Sequence, residues 1–483
     1  MELLTDLDMY IACEKALCGG VVCVSERHVR ANNPLVKGYD KSKPTTWLRY
    51  DDANNLYGWA MSQKLPVRNF KWATTTYDSD RINSLADDGD HGAFLEVDLE
   101  YPKEIHDLHN DYPLCPERMQ VPKNWLSDYQ HKVLGDSKYV ACEKLVPNLN
   151  DKVKYWIHYR NLKFALKQGL RLKAVHRVIE FDQEAWMKPY IDFNTAMRSK
   201  TKSDFEKDLY KLKNNAVFGK TMENLRNPRD IQALRPKSIT YRRWVAAPSY
   251  KQRIIVGEGD LIIAERSKSS ILLNKPVYTG VAILDLSKLH MWSFWYEWLK
   301  PRFGKNVSLA YTDTDSLVYT IQSETDPSAI LRGDSPESMF DTSDLPKNNP
   351  HYSEVNKKIL GKFKDEAKGC AIAEFVGLRP KLYAMLLDGD QLAAHGDHSL
   401  KLETKKSKGV SRAIVKKQLN FDSYMKCLQT GESQRNTQHN LRSREHVVHT
   451  EECTKISLSA FDSKRYILDD GIHSLAHGHY QIS

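Results

Sequence analysis

Hydrophobic and polar positions alternate most sharply around residue 313. Val307-Ser308-Leu309-Ala310 and Leu317-Val318-Tyr319-Thr320-Ile321 are β-prone runs flanking the polar stretch Tyr311-Thr312-Asp313-Thr314-Asp315-Ser316. The pattern predicts a hairpin with two carboxylates at its tip, Asp313 and Asp315 sharing a face as residues i and i+2 of a strand. Thr46-Trp47-Leu48-Arg49-Tyr50-Asp51-Asp52 reads as a short strand running into an Asn-rich turn, and Phe94 to Tyr101 as a half-buried strand with Glu96, Asp98 and Glu100 on its solvated face. Glu374 to Ala384 reads as a second apolar strand, with Lys381 and Tyr383 on one face.

Helical spacing appears elsewhere. Residues 1–30 predict a short helical stretch ending at Gly19-Gly20. Residues 151–168 predict a helix closed by Gly169, its stripe Tyr155, Tyr159, Leu162 and Leu166 packing in the core. Ser203-Asp204-Phe205-Glu206 has the form of a capping box, so a helix should start there. Phe205, Leu209, Leu212 and Ala216 then form an apolar stripe for packing, while Lys207, Lys211, Asn215 and Phe218 lie on the opposite side. Residues 277–300 predict a strand or turn and a long helix ended by Pro301, packed under the hairpin, with Leu284, Met291, Trp295 and Trp298 as a core stripe. Residues 323–357, rich in Pro, Ser, Asp and Asn, read as a loop.

The chain has 483 residues, enough for two to four domains. No apolar run approaches the ~20 residues of a membrane span, and the acidic start lacks a signal-peptide pattern. The expected location is intracellular, with no membrane partner. The eight cysteines include no Cys-x-x-Cys pair, and the spacing of Cys13, Cys18, Cys23 and His28 matches no usual zinc site, so reduced thiols are expected. A net charge of +9 suits a polyanionic partner. Two stretches sharpen that reading. Residues 228–275 interleave Arg235, Lys237, Arg242, Arg243, Lys251 and Arg253 with Tyr241, Trp244 and Tyr250. From Lys405 to Lys417 the basic residues Lys405, Lys406, Lys408, Arg412, Lys416 and Lys417 occur without an acid, as a phosphate-neutralising run would require.

Two carboxylates at one turn repel unless a cation holds them, and Mg²⁺ takes one or two carboxylates plus substrate phosphates. Asp52, at a strand end beside the Asn-rich turn, is a further candidate ligand. Taken alone, each is an ordinary turn Asp. Lysines one turn apart at 207 and 211 suit a triphosphate, and the amide and ring at 215 and 218 suit a base and its sugar. Gly219-Lys220-Thr221 is not a P-loop, because Asn214 stands where the first glycine belongs.

Four stretches, in order, resemble the motifs of family B DNA polymerases. Asp52-Ala53-Asn54-Asn55-Leu56-Tyr57-Gly58 is similar to Asp-x-x-Ser-Leu-Tyr-Pro, and Lys211-Leu212-Lys213-Asn214-Asn215-Ala216-Val217-Phe218-Gly219 to Lys-x-x-x-Asn-Ser-x-Tyr-Gly. Tyr311 to Ser316 matches Tyr-x-Asp-Thr-Asp-Ser, and Lys381-Leu382-Tyr383 resembles Lys-x-Tyr. The resemblance is to the protein-primed type found in viruses, linear plasmids and self-synthesising DNA transposons. It implies an α+β right-hand fold, with an antiparallel-sheet palm and helical fingers and thumb. The implied divisions are an N-terminal remnant and first palm strand (1–66), an insertion (67–182), fingers (183–227), a second insertion (228–275), palm (276–390) and thumb (391–483).

The implied activity is DNA-directed DNA synthesis by two Mg²⁺ ions, with Mn²⁺ a substitute. Primer–template DNA and dNTPs would be the partners, joined by a terminal priming protein where replication is protein-primed. Asp52, Asp313 and Asp315 would be the catalytic carboxylates and metal ligands. Leu56, Tyr57, Arg198, Lys207, Lys211, Asn215 and Phe218 would form the nucleotide pocket, with Tyr57 excluding a 2′-hydroxyl. Lys381, Tyr383, Gly219, Lys405, Lys406 and Lys408 would meet primer or DNA. The departures are Asp51 in place of an apolar residue, Phe218 in place of the motif tyrosine, and Leu17-Cys18-Gly19-Gly20 where Tyr-x-Gly-Gly is usual. With Asp52 so near Met1, no proofreading exonuclease is expected, as in the polymerase part of a longer protein or a genome-resident copy. The alternatives are a catalytically inactive nucleic-acid-binding remnant and a two-metal enzyme of another kind, such as a nuclease or reverse transcriptase.

Overall fold

The β-prone runs either side of Asp313 and Asp315 form the middle of a five-stranded antiparallel sheet. Its order is Val22–Val24, Val307–Asp313, Ser316–Gln322, Thr46–Ala53 and Phe363–Asp365. The computed structural model describes residues 1–226, 229–329, 337–395, 397, 399–444 and 447–482. Part of the 323–357 loop therefore lies outside the described residues.

Both faces of this sheet are covered, which explains the nearly continuous burial of Ser316–Gln322. One face carries Leu309, Leu317, Tyr319 and Ile321 into the main core with Ile283, Leu286, Trp292 and Trp295. Those last residues belong to the helix Val277–Ser293 and the π-helical turn Phe294–Leu299 that continues it. Pro301 does not end this run: a further short turn, Lys300–Phe303, follows before Gly304. The other face carries Tyr311 and Val318 against Phe375, Tyr383 and Met385. These belong to a second antiparallel sheet, Glu403–Ser407, Leu382–Leu387, Ile372–Arg379 and His28–Arg30.

Three predicted elements come out differently. The single apolar strand expected over Glu374–Ala384 is two strands, Ile372–Arg379 and Leu382–Leu387, joined at Pro380-Lys381. Proline cannot donate to the ladder, and Lys381 turns the chain at φ +62°. Lys381 therefore sits on a turn and not on a strand face with Tyr383. The helix expected over 151–168 begins as a strand, Lys152–His158, and becomes helical only over Tyr159–Lys167. Lys152-Val153-Lys154-Tyr155 alternates polar and apolar, and that short-range period wins. Tyr159 and Leu162 are in the core as expected.

The third difference concerns the helix Asp204–Thr221, which pairs with Lys188–Lys200. Its apolar stripe does not pack: Phe205 is 76% and Leu212 61% exposed, and Leu209 is also exposed. The buried contact between the pair is instead a hydrogen bond, Asn194 Nδ2 donating to Asn214 Oδ1 at 2.9 Å. The capping box does not form either. Ser203 makes no side-chain cap, and Glu206 accepts a hydrogen bond from Thr201.

Residues 65–184 build a four-stranded sheet in the order Leu65–Trp72, Arg171–Glu184, His91–Glu100, Lys152–His158. The acids of the Phe94–Tyr101 segment are partnered across strands: Glu96 by Arg177 at 2.7 Å and Asp98 by His176 at 2.9 Å. Asp230–Leu234, Leu261–Arg266 and Tyr250–Val256 make a small sheet flanked by the helix Ile239–Ala246. Near the C-terminus the long hairpin Gln434–Arg444 and Val447–Leu458 follows the helix Phe421–Thr430. The remaining chain turns back, burying Arg465, whose guanidinium donates to the Asn110 carbonyl at 2.8 Å. Among the described residues no helix is long and apolar enough to cross a membrane.

Candidate active site

Ladder register brings Asp52 and the Asp-rich turn together. Asp52 lies opposite Ser316, and the Ala53 N–H donates to the Asp315 carbonyl at 2.7 Å. The turn is tight. The Asp315 N–H bonds the Asp313 carbonyl at 2.7 Å across Thr314, which has φ +65°. A β-branched residue is strained in that conformation, so the surroundings must hold it. They do so from the Gly19-Gly20 loop: the Thr314 N–H donates to the Val21 carbonyl at 2.8 Å, and the Thr314 side chain lies where a Cβ on Gly20 would stand.

The carboxylates are unequally satisfied. Asp313 is ion-paired, with Lys381 Nζ at 2.6 Å from its Oδ1 and the Tyr311 hydroxyl donating to Oδ2 at 3.1 Å. Among the described residues neither Asp52 nor Asp315 has so close an ion pair. Burial first, and Asp315 next, push the Asp52 carboxyl up from 3.8 to about 8; Glu366 adds to this, while Lys364 and Lys211 oppose it. Asp315 is likewise raised, chiefly by burial. Each is thus a hard oxygen donor whose ionised form is only partly offset by nearby positive charge, as a divalent-ion ligand should be. Among the described residues no three His, Cys, Asp or Glu side chains converge to hold an ion by themselves.

Asp51 faces the other way. Its neighbours across the ladder, Leu317 and Asp365, alternate with those of Asp52. It is fully buried, held by Arg49 Nε and Nη2 at 3.2 and 2.9 Å and by the Tyr319 hydroxyl. It competes for nothing at the Asp52 face.

Tyr57 rises from the short helix Leu56–Met61, which Asn55 starts in the left-handed region at φ +43°. Its hydroxyl is pushed up to about 12, by burial and then by the Asp315 and Asp313 charges, so the ring borders the same cleft. Phe218 stacks on it from the paired helix, with centroids 4.5 Å apart. Lys211 extends from the same helix with its charge felt at Asp52, and Asn215 is exposed. Lys207 pairs with Asp204 of its own helix at 2.9 Å, and Arg198 is exposed. Leu56 is buried in the core and supports the helix from below.

On the second sheet Tyr383 is buried against Tyr311, centroids 4.8 Å apart, with its hydroxyl 3.4 Å from that of Tyr50. Lys405 is engaged by the Leu419 carbonyl at 2.6 Å and Glu403 at 3.1 Å, whereas Lys406 and Lys408 are exposed. Gly219 is exposed, with open space where a Cβ would stand.

Two residues at this site escaped the sequence reading. Lys364 lies opposite Asp52 on the edge strand Phe363–Asp365, and Glu366 follows it. A three-residue strand carries no periodicity, so only the alternation of Lys364 and Glu366 could have signalled them.

Residues 4–295 match the family of type B DNA polymerases, organellar and viral, a span that contains Asp52 and Lys211. No curated protein sequence matches the chain. Among solved structures, Phi29 DNA polymerase in an orthorhombic crystal form superposes with a TM-score of 0.54 at 13% identity, covering 95% of this chain and 64% of that one. Phi29 DNA polymerase complexed with primer–template DNA and incoming nucleotide substrates gives a TM-score of 0.51 at 15% identity, with the same coverage. The post-translocation binary complex of Phi29 DNA polymerase with primer–template DNA gives 0.52 at 14% identity, over 94% and 63% of the two chains. This chain thus spans less than two thirds of the length of those polymerases, and at such identities the likeness is one of fold.

Proposed function

This chain belongs to the type B DNA polymerases of the organellar and viral kind, and we propose that it is a DNA-directed DNA polymerase extending a primer 3′-hydroxyl with dNTPs. The observation that carries the reading is the meeting of Asp52 and Asp315 across the ladder, both pushed up by burial and by neighbouring charge. Asp52 and Asp315 would hold two Mg²⁺ ions, with Mn²⁺ a substitute. When bound, such ions lower the pKa of the attacking hydroxyl and stabilise the leaving pyrophosphate.

The chain's own groups do the rest. Asp313, held by Lys381 and Tyr311, adds negative charge beside the ligands and fixes the turn. Lys211 neutralises the triphosphate, with Lys207 and Arg198 behind it on the fingers helices. Tyr57 and Phe218 part to admit the nucleotide, and Tyr57 lies under the deoxyribose and excludes a 2′-hydroxyl. Asn215 lines the same pocket. Lys381 meets the primer end from its turn, with the buried Tyr383 supporting that turn from beneath, while Gly219, Lys406 and Lys408 offer open surface to the DNA backbone. The element served would be virus-like or mobile and replicated by protein priming, with a terminal protein as partner.

Primer extension on a singly primed template, with Mg²⁺ and dNTPs, tests this. The wild type should extend and Asp315→Asn should not. No extension by either, with primer–template binding intact, would point instead to a catalytically inactive DNA-binding protein.

A further inference from the structure

The edge strand Phe363–Asp365 places Lys364 directly opposite Asp52 in the antiparallel ladder. Directly opposed residues share a face of the sheet, with Cβ atoms about 5 Å apart. Glu366, two residues on, falls on that same face, and its N–H donates to the Tyr50 carbonyl at 2.9 Å. Lys364 Nζ lies 2.7 Å from Glu366 Oε1. Both side chains are about one third exposed, at 30% and 34%, so the pair stands in contact with water at the mouth of the cleft. A lysine on an edge strand commonly serves only to keep other strands from pairing there. This one does more than blunt an edge, because its register sets it on the Asp52 face, where its ammonium pairs with Glu366 and its charge is felt at Asp52.

We infer that Lys364 is a resident counter-ion of the Asp52 carboxylate, a positioning residue that weakens divalent-cation binding at the site. The inference rests on the reading of Asp52 and Asp315 as metal ligands. In the ion-free protein the ammonium offsets the repulsion that the ionised form of Asp52 would meet from Asp315 and Glu366. When a divalent ion enters, the same ammonium repels it. The site is thereby held open until substrate phosphates, themselves negative, restore the balance. Affinity for the ion alone is low, and affinity for ion plus triphosphate is high.

The test is Mn²⁺ binding to the full chain without DNA, followed by the electron paramagnetic resonance signal of free Mn²⁺. Lys364→Met should bind Mn²⁺ about tenfold more tightly than wild type, the order expected for removing one unit charge beside a divalent ion in a water-filled cleft. Lys364→Arg should keep the wild-type affinity, and Glu366→Gln should bind more weakly. Lys364→Gln serves in the same role should the methionine variant not fold. Unchanged or weaker binding in a folded Lys364→Met or Lys364→Gln overturns the inference while leaving the metal site standing. Wild-type binding that survives Asp52→Asn with Asp315→Asn overturns the metal-site reading itself, and this inference with it.

Discussion

Replacing Asp52 by Asn should stabilise the ion-free protein, and by an amount that depends on pH. In the unfolded chain this carboxyl releases its proton near 3.8; in the fold it holds the proton up to about 8. Between those values unfolding releases a proton, so wild-type stability falls as pH rises across the window. The gap is about 4 pH units at 1.36 kcal/mol each, giving a ceiling of roughly 5–6 kcal/mol. Asp52 opens on a cleft and shares its repulsion with Asp315, so water and charge sharing reduce this to about 2 kcal/mol. Below pH 4 wild type and Asp52→Asn should be equally stable. At pH 8 the variant should lead by about 2 kcal/mol, and Mg²⁺ should narrow that lead by binding only the wild type. Urea unfolding in EDTA at pH 3.5, 5, 6, 7 and 8, repeated with Mg²⁺ at pH 8, measures all of this. A stability difference that stays flat with pH, or a variant less stable than wild type at pH 8, would refute the reasoning.

Tyr57→Val should admit ribonucleotides, with the ratio of rNTP to dNTP incorporation rising at least tenfold; steady-state incorporation of one nucleotide measures it. Lys211→Ala should raise the KM for dNTP with a smaller change in kcat, and an unaltered KM would remove Lys211 from the phosphate site. Gly20→Ala should displace Thr314 and destabilise the fold by about 1–3 kcal/mol, because its Cβ would occupy the space of the Thr314 side chain. Extension activity should fall further than stability does, since the displaced turn carries Asp315. Asp51→Asn should destabilise the fold while leaving divalent-ion affinity unchanged, as isothermal calorimetry would show, because Asp51 lies on the opposite face of the sheet with Arg49 and Tyr319.

How much of this could be read from the sequence depends on the range of the interaction. The hairpin around residue 313 was legible because strand alternation and turn residues are local. The turn's conformation was not. It needs a positive φ at a threonine, which no propensity favours, and is held by Val21 and Gly20 nearly three hundred residues earlier. The pairing of Lys381 with Asp313, 68 residues apart, is likewise beyond any local pattern. Once Asp52 is given its face, alternation alone sends Asp51 into the core. The fingers helix shows the converse limit. The spacing of Phe205, Leu209 and Leu212 correctly marks a stripe, but periodicity cannot say what covers it, and in this structure the buried contact is an Asn194–Asn214 bond instead.

The most direct measurement of the central claim is the position of Mn²⁺ by anomalous scattering, in crystals of the chain with primer–template DNA and an unreactive dNTP analogue. Two peaks beside the Asp52 and Asp315 carboxylates and the analogue's phosphates are expected, with none at Asp51. Peaks on the Asp51 face, or none beside Asp52 and Asp315 with the analogue bound, would contradict it.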